Sequence, residues 1–199
     1  MSVNDRKVFV MALALVALMS IFVPVASAES QDWYLHNDLT LDKTGPGTGT
    51  KNVPVGTDST AWTAGPAQCG LTIGAGTWTQ SLDYAATSAG TLYMGVYKEE
   101  GNILVGFGSR IILSGTHSIT PLEITGISVD FYTGQHLQSR MQWVPDSGTS
   151  ALVVTCESGT KLTSPSTDPG YPVPELSSLI LFSVGLLALA GYVVYKKKR

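Results

Sequence analysis

Two cysteines, three histidines and fifteen carboxylates are the groups in this 199-residue chain that could ligate a metal, attack a bond or move a proton. His36, His117 and His136 stand far apart, with no His-x-His or His-x-x-x-His spacing. A zinc site needs three or four converging ligands, so none is expected. Asn37, Asp38 and Asp42 in "HNDLTLD", with carbonyls from "TGPGTGT", are oxygen donors of the kind calcium takes. They follow no EF-hand pattern, and loops of this composition are ordinarily solvated. The nucleophile-elbow pattern Gly-x-Ser-x-Gly is absent. A glycosidase-like carboxylate pair would have to be assembled by the fold from Asp83, Glu123, Asp130 or Glu157. "GAG" at Gly74–Gly76 and "GFGSR" at Gly106–Arg110 are not followed by a helix, so they read as turns or bulges rather than phosphate cradles. The expectation is a protein that is not an enzyme and that holds no cofactor and no metal.

Cys69 and Cys156 are 87 residues apart. Two cysteines in one exported domain most often pair, and a bridge between them is expected on compartment grounds. The chain-entropy model gives a loop of that length about 4 kcal/mol. The remaining chemical lead is aromatic. Tyr93 and Tyr97 share the outward side of one strand, and Trp33, Tyr34 and Trp62 fall in loop-rich stretches. Sugars stack on exposed rings flanked by polar groups, so Tyr93 and Tyr97 are candidates for ligand stacking; the competing role for all five rings is to cap the core.

The elements that must position these groups read as strands. "TWTQSLDY" puts Trp78, Leu82 and Tyr84 on one face. "TLYMGVYK" alternates Leu92, Met94 and Val96 against Tyr93, Gly95 and Tyr97. "GISVDFY" groups Ile127, Val129 and Phe131. "HLQSRMQWV" sets Leu137, Met141 and Trp143 against His136, Gln138, Arg140 and Gln142. "SALVVTC" is apolar on both faces, as a central strand would be. Turn residues separate these runs, and no amphipathic helix of useful length intervenes. About eight short strands with one apolar face each must bury those faces against a second sheet. The expected fold is all-β, a single β-sandwich of jelly-roll or immunoglobulin-like type. The stretch from Leu41 to Ala67 reads as a long loop, and "SGTKLTSPSTDPGYPVP" as a stalk.

Both ends are apolar. Arg6-Lys7, the run Val8–Val23, the helix breaker Pro24 and the small residues Ala26-Ser27-Ala28 make an export signal, with cleavage expected between Ala28 and Glu29. Leu176–Tyr195 is twenty residues without a charge, about 30 Å as a helix, which matches a bilayer core. Lys196, Lys197, Lys198 and Arg199 then hold the tail in the cytoplasm. Between the ends, Glu29 to Asp168 carries 13 acidic and 6 basic residues, a net of −7 within a whole-chain net of −3. Such a domain repels a phosphate backbone, which argues against nucleic acid as a partner.

The ending "YPVPELSSLILFSVGLLALAGYVVYKKKR" resembles the tripartite sorting signals of archaeal PEF-CTERM surface proteins and their bacterial PEP-CTERM counterparts: a proline–glutamate motif, an apolar helix and a basic tail. The motif is Val173-Pro174-Glu175-Leu176, and Leu176 departs from the Phe or Pro those groups carry. The resemblance implies an archaeosortase-type enzyme that cuts near Pro174–Glu175 and re-anchors the protein. "GQHLQSRMQWVPDSGTSALVVTCESGTKLTSP" is similar to the closing part of jelly-roll ectodomains of exported prokaryotic surface proteins.

The expected organisation is signal peptide 1–28, ectodomain 29–163, stalk and sorting motif 164–175, transmembrane helix 176–195 and cytoplasmic tail 196–199. The expected role is a membrane-anchored cell-surface protein, structural, adhesive or ligand-binding, with glycan or another surface protein as partner and membrane lipid around its anchor. The alternatives are an extracellular carbohydrate-active or other hydrolytic enzyme, and an accessory subunit of a surface complex.

Overall fold

The computed structural model describes residues 28–56 and 59–170. The segments expected to be signal peptide and membrane helix, together with Val173-Pro174-Glu175-Leu176, lie outside the described residues. Among the described residues there is no helix, and none therefore long and apolar enough to cross a membrane. The transmembrane and sorting features thus find no support in the structure.

Thirteen strands run in the order β1 (Asp32–Leu35), β2 (Thr40–Asp42), β3 (Thr50–Val53), β4 (Thr60–Ala64), β5 (Leu71–Ile73), β6 (Gly76–Ala86), β7 (Gly90–Lys98), β8 (Ile103–Ile112), β9 (Gly115–Gly126), β10 (Val129–Phe131), β11 (Leu137–Pro145), β12 (Leu152–Thr155) and β13 (Lys161–Thr163). The long strands form where apolar and polar residues alternate. Along β6, Trp78, Gln80, Leu82, Tyr84 and Ala86 face inward while Thr79, Ser81, Asp83 and Ala85 do not. The same period orders β7 and β11, whose pairing runs unbroken from Leu137 opposite Lys98 to Pro145 opposite Gly90.

The expected single sandwich is corrected here. Neighbouring strands follow the order β13-β1-β2-β4-β11-β7-β8-β9-β6, and β6 pairs back to β13, so nine strands close into a barrel. The barrel is mixed: β2 and β4 run parallel, the other pairs antiparallel. Strands β12 and β3 extend the sheet beyond β6, and β5 with β10 form a separate two-stranded ribbon. Closure removes the free edges that two separate sheets would leave.

The closure uses segments that the sequence had assigned to loop and stalk. Strands β2, β3 and β4 all touch or lie within the Gly/Thr-rich stretch from Leu41 to Ala67. Lys161–Thr163 is the closing strand, with Leu162 fully buried. Residues beyond it stay packed on the barrel. The Ser164 amide donates to the Gln31 carbonyl, the Thr167 hydroxyl to the Gly74 carbonyl, and the Glu29 amide to the Asp168 carbonyl.

The seam between β8 and β9 is the narrowest, a single register pair of Gly106 with Gly126. Glycine is required on both sides. A Cβ on Gly106 would stand 2.8 Å from Cγ2 of Ile124, and one on Gly126 would stand 2.7 Å from the Trp78 ring. Inside the barrel, Trp33, Trp62, Trp78 and Trp143 are all at most 1% exposed and dominate the core with Phe131, Leu35, Leu82 and Met94.

Candidate functional site

Strand β7 ends at Lys98, and the turn Glu99–Asn102 leads into β8. His136 immediately precedes β11, the neighbour of β7. Pairing of Leu137 with Lys98 therefore brings two segments 36 residues apart to one end of the barrel. The Glu100 carboxylate takes two hydrogen bonds from His136, one from its backbone amide at 2.9 Å and one at the ring Nδ1, 2.7 Å away. A carboxylate oxygen of Glu99 stands 3.5 Å from the same nitrogen. The ligating atoms of Glu99, Glu100 and His136 all lie within 4.8 Å of one another, close enough to converge on one metal ion. No signal in the sequence marked this cluster, because none of its spacings is a local ligand motif. What could have found it is the strand register, which the alternation in β7 and β11 nearly fixes.

Burial pushes the Glu100 carboxyl upward, but the bonds from the His136 ring and amide outweigh it and hold the group below the usual carboxylate range. The carboxylate thus stays ionised and fixes Nδ1 of the imidazole as the bonded nitrogen, leaving Nε2 without a hydrogen bond among the described residues. An oriented imidazole with one free nitrogen can move a proton to or from a substrate or water.

The outward face of β11, β7 and β8 runs away from this cluster. Tyr93 and Tyr97 both project from it, as the alternation in the sequence requires. Tyr93 stacks against Phe107 with centroids 5.9 Å apart and planes at 21°. Tyr97 lies beneath the Arg140 guanidinium, 4.3 Å from its carbon to the ring centroid. Arg140 donates through Nε to Gln138 and through Nη1 to Asn102, so the turn that holds Glu99 and Glu100 also fixes this arginine. Trp33 and Trp62, read in the sequence as loop aromatics, are instead core, and the Trp62 indole donates to the His36 carbonyl at 2.8 Å.

The other candidates from the sequence do not assemble. Cys69 and Cys156 are both free thiols, so the expected bridge is absent. Cys156 is buried beside β3, its amide bonded to the Gly49 carbonyl, whereas Cys69 lies at the start of the β5 ribbon. Burial pushes the Cys156 thiol up, with Asp38 adding to the shift and Lys51 opposing it. The carboxylates in "HNDLTLD" are consumed locally. Asp38 accepts from the amide and hydroxyl of Thr40, and Asp42 from those of Thr44. His36 Nε2 sits 3.2 Å from Asp42. Asp130 accepts from the Thr72 hydroxyl at 2.6 Å and locks the small ribbon.

No protein family and no curated protein matches the chain. Solved structures do match, by shape. A CocE/NonD family hydrolase from Staphylococcus aureus superposes with a TM-score of 0.57 at 11% identity, over 72% of this chain and 37% of that one. An aminopeptidase from a marine sediment Thaumarchaeota archaeon gives 0.55 at 10% identity, over 69% and 36%. An alpha-amino acid ester hydrolase gives 0.54 at 10% identity, over 68% and 36%. The chain thus spans a little over a third of the length of each, and the likeness is one of fold. The expectation of a protein that is not an enzyme, drawn from missing catalytic motifs, is corrected to this extent: proteins named as hydrolases carry the same fold over about a third of their length.

Proposed function

We propose that the chain serves hydrolysis of ester or amide bonds, with the barrel end at Glu99, Glu100 and His136 as the working site and the face of β11, β7 and β8 as the surface that holds substrate. The observation that carries this is the Glu100–His136 pair. A carboxylate that orients Nδ1 and leaves Nε2 open is the arrangement by which an imidazole acts as general base on water. The three hydrolases that share the fold support the same class of reaction, though the match covers only a little over a third of each of them. Placement outside the cell belongs to this proposal and rests on the cations at both ends of the sequence. Re-anchoring by an archaeosortase-type enzyme rests on the motif at Val173–Leu176 alone.

The test is turnover by the purified full-length chain of p-nitrophenyl acetate and of an aminoacyl p-nitroanilide. The expected result is a rate above buffer that falls about a hundredfold or more in His136→Gln and in Glu100→Gln, the range a general base contributes. Absence of turnover, or rates in both variants equal to that of the natural chain, overturns the assignment.

A further inference from the structure

The exposed face of β11, β7 and β8 carries an arginine with unused hydrogen-bonding capacity beside an apolar platform. In the register, Arg140 lies opposite Gly95, and Gly95 opposite Phe107. Gly95 sends no side chain outward, and the Tyr97 ring folds back over it: a Cβ on Gly95 would stand 2.6 Å from Cε2 of Tyr97. The ring in turn supports the Arg140 guanidinium. With Nε given to Gln138 and one Nη1 hydrogen to Asn102, three of its five N–H donors remain. Arg140 makes no ion pair among the described residues, in a domain of net −7.

On the other side of Gly95, Phe107 is 51% exposed and stacked with Tyr93, so the two rings form one aromatic pair on this face. Polar groups rim the face: Ser109 opposite Tyr93 on β8, and Gln142 opposite it on β11. Gln142 gives its amide nitrogen to the Gly56 carbonyl, which orients its oxygen as an acceptor.

We infer that this face binds an acidic sugar, a hexuronate residue of a polysaccharide, with its carboxylate on Arg140 and its C–H face on the Tyr93–Phe107 pair. A planar guanidinium already held by two side chains and a ring loses little freedom on taking a carboxylate in two parallel bonds. Stacked rings accept the apolar face of a pyranose, while the amide and hydroxyl rim suits its hydroxyls. The inference names a ligand for the face that the hydrolytic reading uses to hold substrate, but it is tested by binding without turnover, so the two can fail separately.

The test is calorimetric titration of the purified full-length chain with tri-galacturonate, with a neutral trisaccharide of galactose and with a dipeptide acid ending in Phe. Saturable binding of tri-galacturonate is expected, at least about tenfold tighter than the neutral sugar or the dipeptide. Arg140→Gln should abolish that preference, Arg140→Lys should restore only part of it, and Phe107→Ala should weaken both sugars alike. Gly95→Ala, which displaces Tyr97 from under the guanidinium, is the second variant should Arg140→Gln fail to fold. No saturation by tri-galacturonate overturns the inference. So does equal affinity for the neutral sugar, tighter binding of the dipeptide, or an unchanged preference in Arg140→Gln and Gly95→Ala.

Discussion

At the scale of single residues, the Asp32–Lys161 pair shows how polar side chains fasten the closing register. Asp32 lies opposite Thr163 across β1 and β13, and its two carboxylate oxygens accept from Lys161 Nζ and from the Thr163 hydroxyl, both at 2.6 Å. Burial raises the Asp32 pKa, but these bonds and the Lys161 charge more than offset it, so the group ends below its ordinary value. Lys161 is raised, chiefly by its bond to Asp32. The two shifts work in opposite pH directions. The carboxylate's share of stability is present above the unfolded Asp pKa, about 4, and is lost as pH falls through the lower folded value. The ammonium's share is present below the unfolded Lys pKa, about 10, and is lost as pH rises through the higher folded value. Urea unfolding of Asp32→Asn against the natural chain should therefore show a difference that is flat near neutrality and shrinks at both extremes. Because both side chains are about a third exposed, the plateau should not exceed about 1 kcal/mol. A difference that grows steadily toward acid would mean that the aspartate is not acting through its charge.

At the scale of elements, Gly106 and Gly126 determine whether β8 and β9 can meet. Gly106→Ala would drive its Cβ against Ile124 and the Thr125 carbonyl, and overpacking of this kind typically costs about 1–3 kcal/mol. The same change at Gly134, whose Cβ position is open, meets no neighbour but is strained by a φ of +88°. Chemical denaturation should show the loss, and native-state hydrogen exchange should show that Gly106→Ala also deprotects Ile127, whose amide bonds to the Val105 carbonyl beside the seam, whereas Gly134→Ala leaves that amide protected. Equal protection in both variants would deny the seam its role. Element scale is also where the sequence was most and least informative. The alternations in β6, β7 and β11 were legible because each strand is nine residues or longer and half-buried, so period two repeats several times. Strands β2, β3, β4 and β13 were hidden because three to five residues hold at most two or three inward positions, and Thr, Gly and Lys surround them. A sandwich and a closed barrel demand the same alternation of side chains. They differ in which strand pairs with which across the ring, and Thr163 opposite both Asp32 and Thr79 is a register that no local pattern encodes. The site divides along the same line. Tyr93 and Tyr97 were legible as outward residues of one strand, whereas Glu100 beside His136 depends on pairing between β7 and β11.

At the scale of the whole molecule, the first and last described strands are neighbours, and the barrel exists only when they meet. β13 pairs with β1 on one side and β6 on the other, over a separation of about 130 residues in the first case and 80 in the second. Long-range closure of this kind makes partial barrels poor at burying the four core tryptophans, so opening should be global rather than local. The two free thiols report on this directly. Cys69 is partly exposed and should react with a thiol reagent in the folded chain. Cys156 is wholly buried, and burial also disfavours its thiolate, so its reaction should wait for unfolding. Leu162→Ala removes a fully buried side chain from the closing strand and should cost about 2–5 kcal/mol. If closure by β13 is what keeps the ring shut, the labelling rate of Cys156 should rise by the full factor that this loss implies, on the order of thirtyfold or more, while that of Cys69 hardly changes. Equal acceleration of both thiols would place Cys69 within the same cooperative unit. An unchanged Cys156 rate would mean that the barrel opens elsewhere than at its closing strand.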